Sequence, residues 1–211
     1  MSFAFRLLAG DAAGPRAGLL APTEDPIQSV PNTMEAAEIT AWVGEEGPAP
    51  ARCALDLALH DRIARFFWDR VAEDRSYAIG GNSDREHFFP TAEFERHLSA
   101  ETAETCNTYN MLKLTRALFA REPDSRYLDF YERGLYNHIL ASVSRHSAGN
   151  TYHVPLNPGA RKHFSNAGMT GFTCCNGTAL DSNTKLQDSI YFRSRDHSAL
   201  YVNLYIPSTL T

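Results

Sequence analysis

The chain has 211 residues, of which 43% are hydrophobic and 11% aromatic, and its formal net charge at pH 7 is −5. These values are typical of a globular protein with a sizeable core, and the lack of a basic block argues against nucleic acid as a partner. No apolar run approaches the length of about 18 residues that a membrane span needs. The first residues, MSFAFRLLAG, are a poor signal peptide, so we expect a cytoplasmic location.

The first part of the chain is rich in residues that interrupt regular structure. Six of the eleven prolines lie in the first 50 residues, together with several glycines. We therefore predict a non-native or poorly ordered, irregular segment over residues 1–52, with at most a short helix over residues 33–43.

Three stretches in the middle of the chain have apolar residues at helical spacing. We predict one helix over LHDRIARFFWDRVAEDR, a second from about Ala103 to Ala120, and a third over DSRYLDFYERGLYNHILASV, capped by Asp124. The Gly80-Gly81 pair and the polar loop NSDREHFFP separate the first from the second. The loop between the second and third is short, which predicts an antiparallel pair.

The end of the chain changes from helical to extended character. TYHVPLNPGARKHFS is rich in turn residues, and DSIYFRSRD and ALYVNLYIP alternate as the two strands of a hairpin over residues 188–206. A two-stranded hairpin is not stable alone. We therefore expect further strands to follow, and the chain to be a piece of a longer protein.

Two adjacent cysteines, Cys174 and Cys175 in GFTCCNGT, stand out in a chain with only four. AETCNTYN supplies Glu104 and Cys106, which completes a set of three thiols and one carboxylate, the right number for tetrahedral zinc. Residues at i and i+2 share no helix face, so these two converge with the pair only if Glu104 lies at or before the first helical turn. On spacing alone, buried cysteines that pack as small hydrophobic residues remain the favoured alternative.

Several longer motifs resemble those of a known enzyme family. They are SYAIGGNSDREHF, LSAETAETCNTYNMLKLTRALF, YLDFYERGLYNHILAS, TYHVPLNPG, FTCCNGT and DSIYFRSRDHSALYVNLYIPSTL. From about residue 76 to 210 the chain resembles the beta-L-arabinofuranosidases of glycoside hydrolase family 127, and especially the related family 146. The resemblance implies a mainly α fold, with a partial (α/α)6 toroid over residues 53–186 and the first strands of a β-sandwich over residues 187–211.

The same resemblance implies an activity and a site. It implies a retaining glycoside hydrolase that releases L-arabinose from an L-arabinofuranosyl glycan or glycopeptide, with a zinc-bound cysteine as nucleophile. Carried over to this chain, the zinc ligands are Glu104, Cys106, Cys174 and Cys175, the nucleophile is Cys174, and the acid/base is Glu86 of DREHF. We expect the four ligand atoms to lie within about 4 Å of each other.

Other polar residues have both a functional and a structural interpretation. Tyr152, His153 and His87 are candidate substrate contacts, but a core tyrosine and a solvated loop histidine are equally ordinary explanations. Asn82 and Asp84 flank Glu86 and either orient it or form turns. His138 lies on an apolar helix face and is interpreted as a core histidine, and Cys53 has no assigned role.

Two alternatives to a working glycosidase remain open at this point. The first is a structural zinc protein, for which Glu86 would be exposed and tolerant of substitution. The second is a truncated homologue that keeps the site but lacks much of the substrate pocket, since the family's N-terminal helices do not match this chain. For that reason we expect the 211-residue chain to show little activity by itself.

Overall fold

A computed structural model of the chain describes residues 49–165 and 171–210, except for the side chains of residues 49–59 and 186. The helices are α1 (Ala49–Ala72), α2 (Thr105–Arg121), α3 (Ser125–Gly134) and α4 (Cys174–Lys185), and the strands are β1 (Tyr191–Arg193) and β2 (Leu200–Val202). The fold is therefore mainly α with a small sheet, as predicted. Within the described ranges, no helix has the length and apolar character needed to cross a membrane.

The chain divides into two compact units, Met1–Asp69 and Arg70–Thr211. In the first unit, the description covers the larger part of α1, which begins at Ala49, earlier than the predicted start at Leu59. The predictions for residues 1–48, including the short helix over residues 33–43, lie outside the described residues. All the candidate site residues belong to the second unit.

The core of the second unit forms between α2 and α3, which pack against each other. The short connection around Pro123 between these helices is typical of the antiparallel pair predicted from the sequence. Asp124 caps α3 as expected, because its carboxylate accepts a hydrogen bond of 2.9 Å from the backbone N–H of Arg126. The two helices bury a shared set of apolar side chains: Met111, Leu112, Leu118, Phe119, Tyr127, Phe130 and Tyr131.

The third predicted helix is not one regular α-helix. After α3 ends at Gly134, the chain continues as a π-helical turn over Leu135–Ile139 and a short 3₁₀ turn over Leu140–Ser142. A Cβ added at Gly80 would lie 2.7 Å from the Cα of Gly134, so two backbones approach closely here. Such a contact between distant segments has no signal in the helical period, which explains why the sequence predicted a continuous helix.

The predicted β-hairpin is present, with shorter strands. β1 and β2 pair antiparallel, with Phe192 opposite Tyr201. Both rings pack on Phe119 of α2, with ring centroids 4.8 and 5.4 Å away. The hairpin is thus held on the helical core by edge-to-face aromatic contacts.

A ladder of backbone hydrogen bonds positions the candidate site. Residues 101–105 pair on one side with residues 83–85, through hydrogen bonds from Ala103 N to Ser83 O and from Arg85 N to Glu101 O, both 3.0 Å. On the other side they pair with residues 151–154, where Thr105 N donates to Tyr152 O and Val154 N to Thr102 O, both at 3.0 Å. The loop of Glu86, the start of α2 and the TYHV segment are therefore neighbours.

Candidate metal centre and active site

The first two donors lie at the N-terminus of α2. Glu104 is the residue before the helix and has extended backbone angles, φ −63° and ψ 133°, while Cys106 lies in the first turn. The sequence predicted that Glu104 and Cys106 can share a site only in such an arrangement, because residues two apart within a helix do not lie on the same face.

The other two donors lie in the first turn of α4. Thr173 precedes this helix, and both its backbone N–H and its hydroxyl donate to the side-chain oxygen of Asn176, at 2.8 and 2.9 Å. An N-terminal side chain that reaches back to the residue before the helix is a capping interaction. It fixes the start of α4 at Cys174, so Cys174 and Cys175 are both placed at the helix end.

The four donors converge. The sulfur of Cys175 lies 3.4 Å from that of Cys106 and 4.0 Å from that of Cys174, and it lies 3.7 Å from Oε1 of Glu104. All four donor atoms are within 4.8 Å of one another, and the three cysteines are free thiols. The convergence is confirmed, although the cluster is slightly wider than the separation of about 4 Å that we expected. These residues could hold a metal ion.

The electrostatics of the cluster fit a cation. Burial raises the pKa of the Cys106 thiol and that of Cys175, the latter to about 11. Burial, and then the charge of Glu86, raise the pKa of Glu104. Because neighbouring buried acids disfavour each other's ionised forms, a positive charge among Glu104, Cys106 and Cys175 would favour their ionisation. The N-terminal ends of α2 and α4 add favourable dipoles for anionic ligands.

Tyr152 connects the cluster to the candidate acid/base. Its hydroxyl lies 3.5 Å from the sulfur of Cys174 and donates a hydrogen bond of 2.5 Å to Oε1 of Glu86. The hydrogen bonds to Glu86 and Cys174 raise the pKa of Tyr152, so the phenol stays protonated as a donor. Cys174 is exposed, whereas Cys106 and Cys175 are buried.

The remaining candidates have different surroundings. Glu86 and His87 are exposed, and the backbone of His87 closes a turn with Asp84. His153 packs beside the Tyr152 ring, with centroids 4.7 Å apart, and its backbone pairs with Glu104. Substrate contact by either histidine remains a prediction.

One candidate has the structural role that the sequence suggested. His138 is fully buried, and its Nδ1 lies 2.8 Å from the hydroxyl of Thr108. Its interpretation as a core histidine is confirmed.

Two polar residues around the cluster were not identified from the sequence. The hydroxyl of Thr178 lies 3.3 Å from the sulfur of Cys106. The side-chain amide of Asn150 donates a hydrogen bond of 3.0 Å to the carbonyl of Cys175. The position of Thr178 three residues after Cys175, within one helical turn, is a signal that could have identified it.

Comparisons with known proteins place this chain in a family. The family profile described as "Beta-L-arabinofuranosidase, GH127 catalytic domain" matches residues 21–188. No curated protein matches the chain. A similar solved structure is the GH127 beta-arabinofuranosidase BT3674, with a TM-score of 0.56 and 21% identity. Another is a GH127 beta-L-arabinofuranosidase from Geobacillus stearothermophilus T6, with a TM-score of 0.52 and 24% identity.

Both structural similarities cover 81% of this chain, which shows a shared fold. The chain spans 26% and 27% of the lengths of those two proteins. Because the family profile matches most of the chain, the chain belongs to the beta-L-arabinofuranosidase family defined by the GH127 catalytic domain.

Proposed function

We propose that this chain carries the catalytic groups of a retaining beta-L-arabinofuranosidase, and that its helices are part of an (α/α)6 toroid followed by a β-sandwich. The substrate is a glycan or glycopeptide that bears β-L-arabinofuranosyl groups. Besides family membership, one observation carries the proposal: the Tyr152 hydroxyl contacts both Cys174 and Glu86. In this proposal Cys174 is the nucleophile and Glu86 is the acid/base.

The distance between the two groups suits a retaining mechanism. Since the Tyr152 oxygen lies 3.5 Å from the Cys174 sulfur and 2.5 Å from Oε1 of Glu86, those two atoms can be at most about 6 Å apart. Retaining glycosidases hold their two catalytic groups about 5–5.5 Å apart, whereas inverting enzymes leave room for a water between them. The geometry therefore favours direct attack by the Cys174 thiolate.

Solvent exposure identifies Cys174 as the candidate nucleophile among the three thiols. A nucleophile must reach the anomeric carbon of a substrate, and Cys174 is the exposed member, while Cys106 and Cys175 are buried. The buried pair is better placed to hold a metal than to attack a sugar. The same cluster thus contains both structural ligands and a reactive group.

We propose zinc as the metal, held by Glu104, Cys106, Cys174 and Cys175. Three sulfurs and one oxygen are a donor set that zinc accepts, and magnesium or calcium would require oxygen ligands. A bound zinc ion would keep the cysteine thiols ionised at neutral pH.

The chain's own residues account for both steps of the reaction. In the first, Glu86 donates its proton to the glycosidic oxygen while the sulfur of Cys174 bonds to the anomeric carbon and the C–O bond breaks. In the second, Glu86 accepts a proton from water, whose oxygen bonds to the anomeric carbon as the C–S bond breaks. Each step inverts the carbon, so the configuration is retained.

Substitution of the two catalytic groups in the intact protein tests the mechanism. Cys174→Ser should abolish turnover of aryl β-L-arabinofuranosides, because an alkoxide is a much poorer leaving group than a thiolate in the second step. Glu86→Ala should slow substrates with poor leaving groups about 100-fold or more, but activated aryl substrates much less, since an activated aglycone needs no proton. In the Glu86→Ala variant, azide should restore part of the rate of the second step. Equal losses on both substrate types would exclude Glu86 as the acid/base.

Metal analysis tests the ligand set independently of activity. The purified protein should contain about one zinc per chain, and Cys106→Ser should lose most of it. The matched control is Cys53→Ser, which replaces the cysteine of α1 that is not among the four proposed ligands and should keep its zinc. Retention of zinc by the Cys106→Ser variant would contradict the proposed ligand set.

A structural metal site is the second candidate function, because Glu86 is exposed, as that alternative predicted. The contact between Glu86 and Tyr152 opposes it, since a purely structural site has no use for a carboxylate beside an exposed thiol. In this alternative, Cys174→Ser and Cys106→Ser would lower thermal stability and zinc content alike, and no arabinofuranoside would be turned over.

A further inference from the structure

The turn that carries Glu86 has an unusual backbone conformation. Asp84 and His87 exchange two backbone hydrogen bonds of 3.0 Å, which defines a two-residue hairpin turn with Arg85 and Glu86 at its centre. Both central residues have positive φ, 50° and 68°. Turns of this kind are normally formed by Asn-Gly or Gly-Gly, because a residue with a Cβ is strained in the left-handed region.

The carboxylate of Asp84 anchors the first corner of this turn. It accepts a hydrogen bond of 2.5 Å from the hydroxyl of Ser99 and lies 2.8 Å from Nδ1 of His97. The Asp84 side chain is only 12% exposed. The His97 ring is fixed in turn by stacking on Phe89, with centroids 4.0 Å apart and planes inclined by 9°. One of the two partners of Asp84, His97, is therefore itself held in place.

The hydrogen bonds of Asp84 favour its charged form. Burial alone would raise the pKa of Asp84, but the hydrogen bonds from Ser99 and His97 outweigh burial and hold its pKa below the usual value. An ionised carboxylate accepts stronger hydrogen bonds than a neutral one, so the anchor is firm at neutral pH.

The turn is also tied to the segment that leads to the metal cluster. Asp84 pairs with Thr102 as an antiparallel bridge, and the side chain of Arg85 lies 2.8 Å from that of Glu101. Glu104 follows two residues after Thr102. The pairing with Thr102 therefore also fixes the position of the turn relative to Glu104, a proposed metal ligand.

We infer that Asp84 is a positioning residue: by anchoring the strained turn to His97 and Ser99, it holds the Glu86 carboxylate against the Tyr152 hydroxyl beside Cys174. The inference rests on the proposed role of Glu86. The strained, left-handed backbone of Arg85 and Glu86 then has a function, because it positions the Glu86 carboxylate.

The kinetic test compares Asp84→Ala with Glu86→Ala in the intact protein. Asp84→Ala should lower kcat/KM about 10- to 100-fold for aryl arabinofuranosides with poor leaving groups, and much less for activated ones. In the Glu86→Ala background, Asp84→Ala should cause no further loss, because both act through one carboxylate. Zinc content and the rate of Cys174 alkylation should not change. Equal loss on both substrate types, or multiplied losses in the double variant, would overturn the inference.

Asp196 offers a matched control. It also lies in a hairpin turn, between β1 and β2, and its carboxylate accepts a hydrogen bond of 2.8 Å from the Ser198 hydroxyl. Asp196→Ala should leave the leaving-group dependence unchanged. If Asp84→Ala fails to fold, Ser99→Ala removes one of the two anchors and should show a smaller loss with the same dependence.

A second measurement does not depend on the proposed function. If Asp84 enforces the strained turn, Glu86→Gly should melt about 3 °C higher than Glu86→Ala, and this difference should disappear in the Asp84→Ala background. A difference that persists without Asp84 would overturn the inference. If Glu86→Ala shows no leaving-group dependence, the proposed function fails, and the melting comparison still decides whether Asp84 holds the turn.

Discussion

Protonation of the buried His138 should make the stability of this protein fall in mild acid. Burial lowers the pKa of His138 from its ordinary 6.5 to about 4. Between these two values the unfolded chain binds a proton at this residue, whereas the folded protein does not. Lower pH therefore favours the unfolded state, and the contribution of His138 is fully present above the unfolded pKa.

The size of the effect follows from the two pKa values. Between pH 7 and pH 5, the free energy of unfolding should fall by about 2 kcal/mol through this residue alone. Full burial means that solvent does not screen the penalty. The hydrogen bond between Nδ1 and Thr108 is compatible with the neutral ring, and burial outweighs the backbone hydrogen bond with Ala103, which favours the charged ring.

Urea denaturation of wild type and His138→Asn at pH 7 and pH 5 provides the assay. His138→Asn should be less stable at pH 7 because it removes buried volume, but its stability should fall by about 2 kcal/mol less than that of wild type over this pH range. Any proton-linked loss of metal is common to both proteins and cancels in the comparison. His197→Asn, which replaces an exposed histidine, is the control and should parallel wild type. Parallel curves for wild type and His138→Asn would refute the reasoning.

Further substitutions test the turn, the cap and the core. Glu86→Gly should be more stable than Glu86→Ala by about 1 kcal/mol in thermal or urea unfolding, because φ is 68° at this position. The same pair at Glu132, inside α3, should show the opposite sign by about 1 kcal/mol. Asp124→Ala should cost about 1 kcal/mol in urea unfolding through loss of the α3 cap. Phe130→Ala should cost about 3–5 kcal/mol, because the ring is 2% exposed in the core.

Each of these results has a contrary outcome. A Glu86→Ala variant at least as stable as Glu86→Gly would mean that the turn is unstrained. An unchanged urea midpoint for Asp124→Ala would show that the hydrogen bond to Arg126 does not stabilise α3. A loss below about 1 kcal/mol for Phe130→Ala would mean that this part of the core repacks around the missing ring.

Local patterns were sufficient for the elements that depend on local interactions. The helical period, the capping aspartate Asp124 and the alternation around Phe192 predicted α2, α3 and the β1–β2 hairpin, all of which are present. The donor types of the metal cluster were also visible in the sequence. Thiols and a carboxylate are identified by chemistry alone, whatever their positions.

Other features depend on contacts between distant segments. Helix α4 was not predicted, because the cap that starts it uses Asn176, and asparagine is as common in loops as at helix ends. The π-helical turn after Gly134 was missed for a similar reason. Its position coincides with a close approach to Gly80, more than 50 residues earlier in the chain.

The sequence alone thus determined which residues could bind a metal and most of the stretches that become helices or strands, whereas Glu86 was expected as the acid/base only through the family resemblance. Only the tertiary structure decided that Glu104 lies beside Cys174, 70 residues later in the chain, and that Tyr152 contacts Glu86, 66 residues earlier. The reason is physical. Pairing of residues 101–105 with residues 83–85 and 151–154 rests mainly on backbone hydrogen bonds, which any residue except proline can donate, so the side-chain pattern gives little indication of the partners.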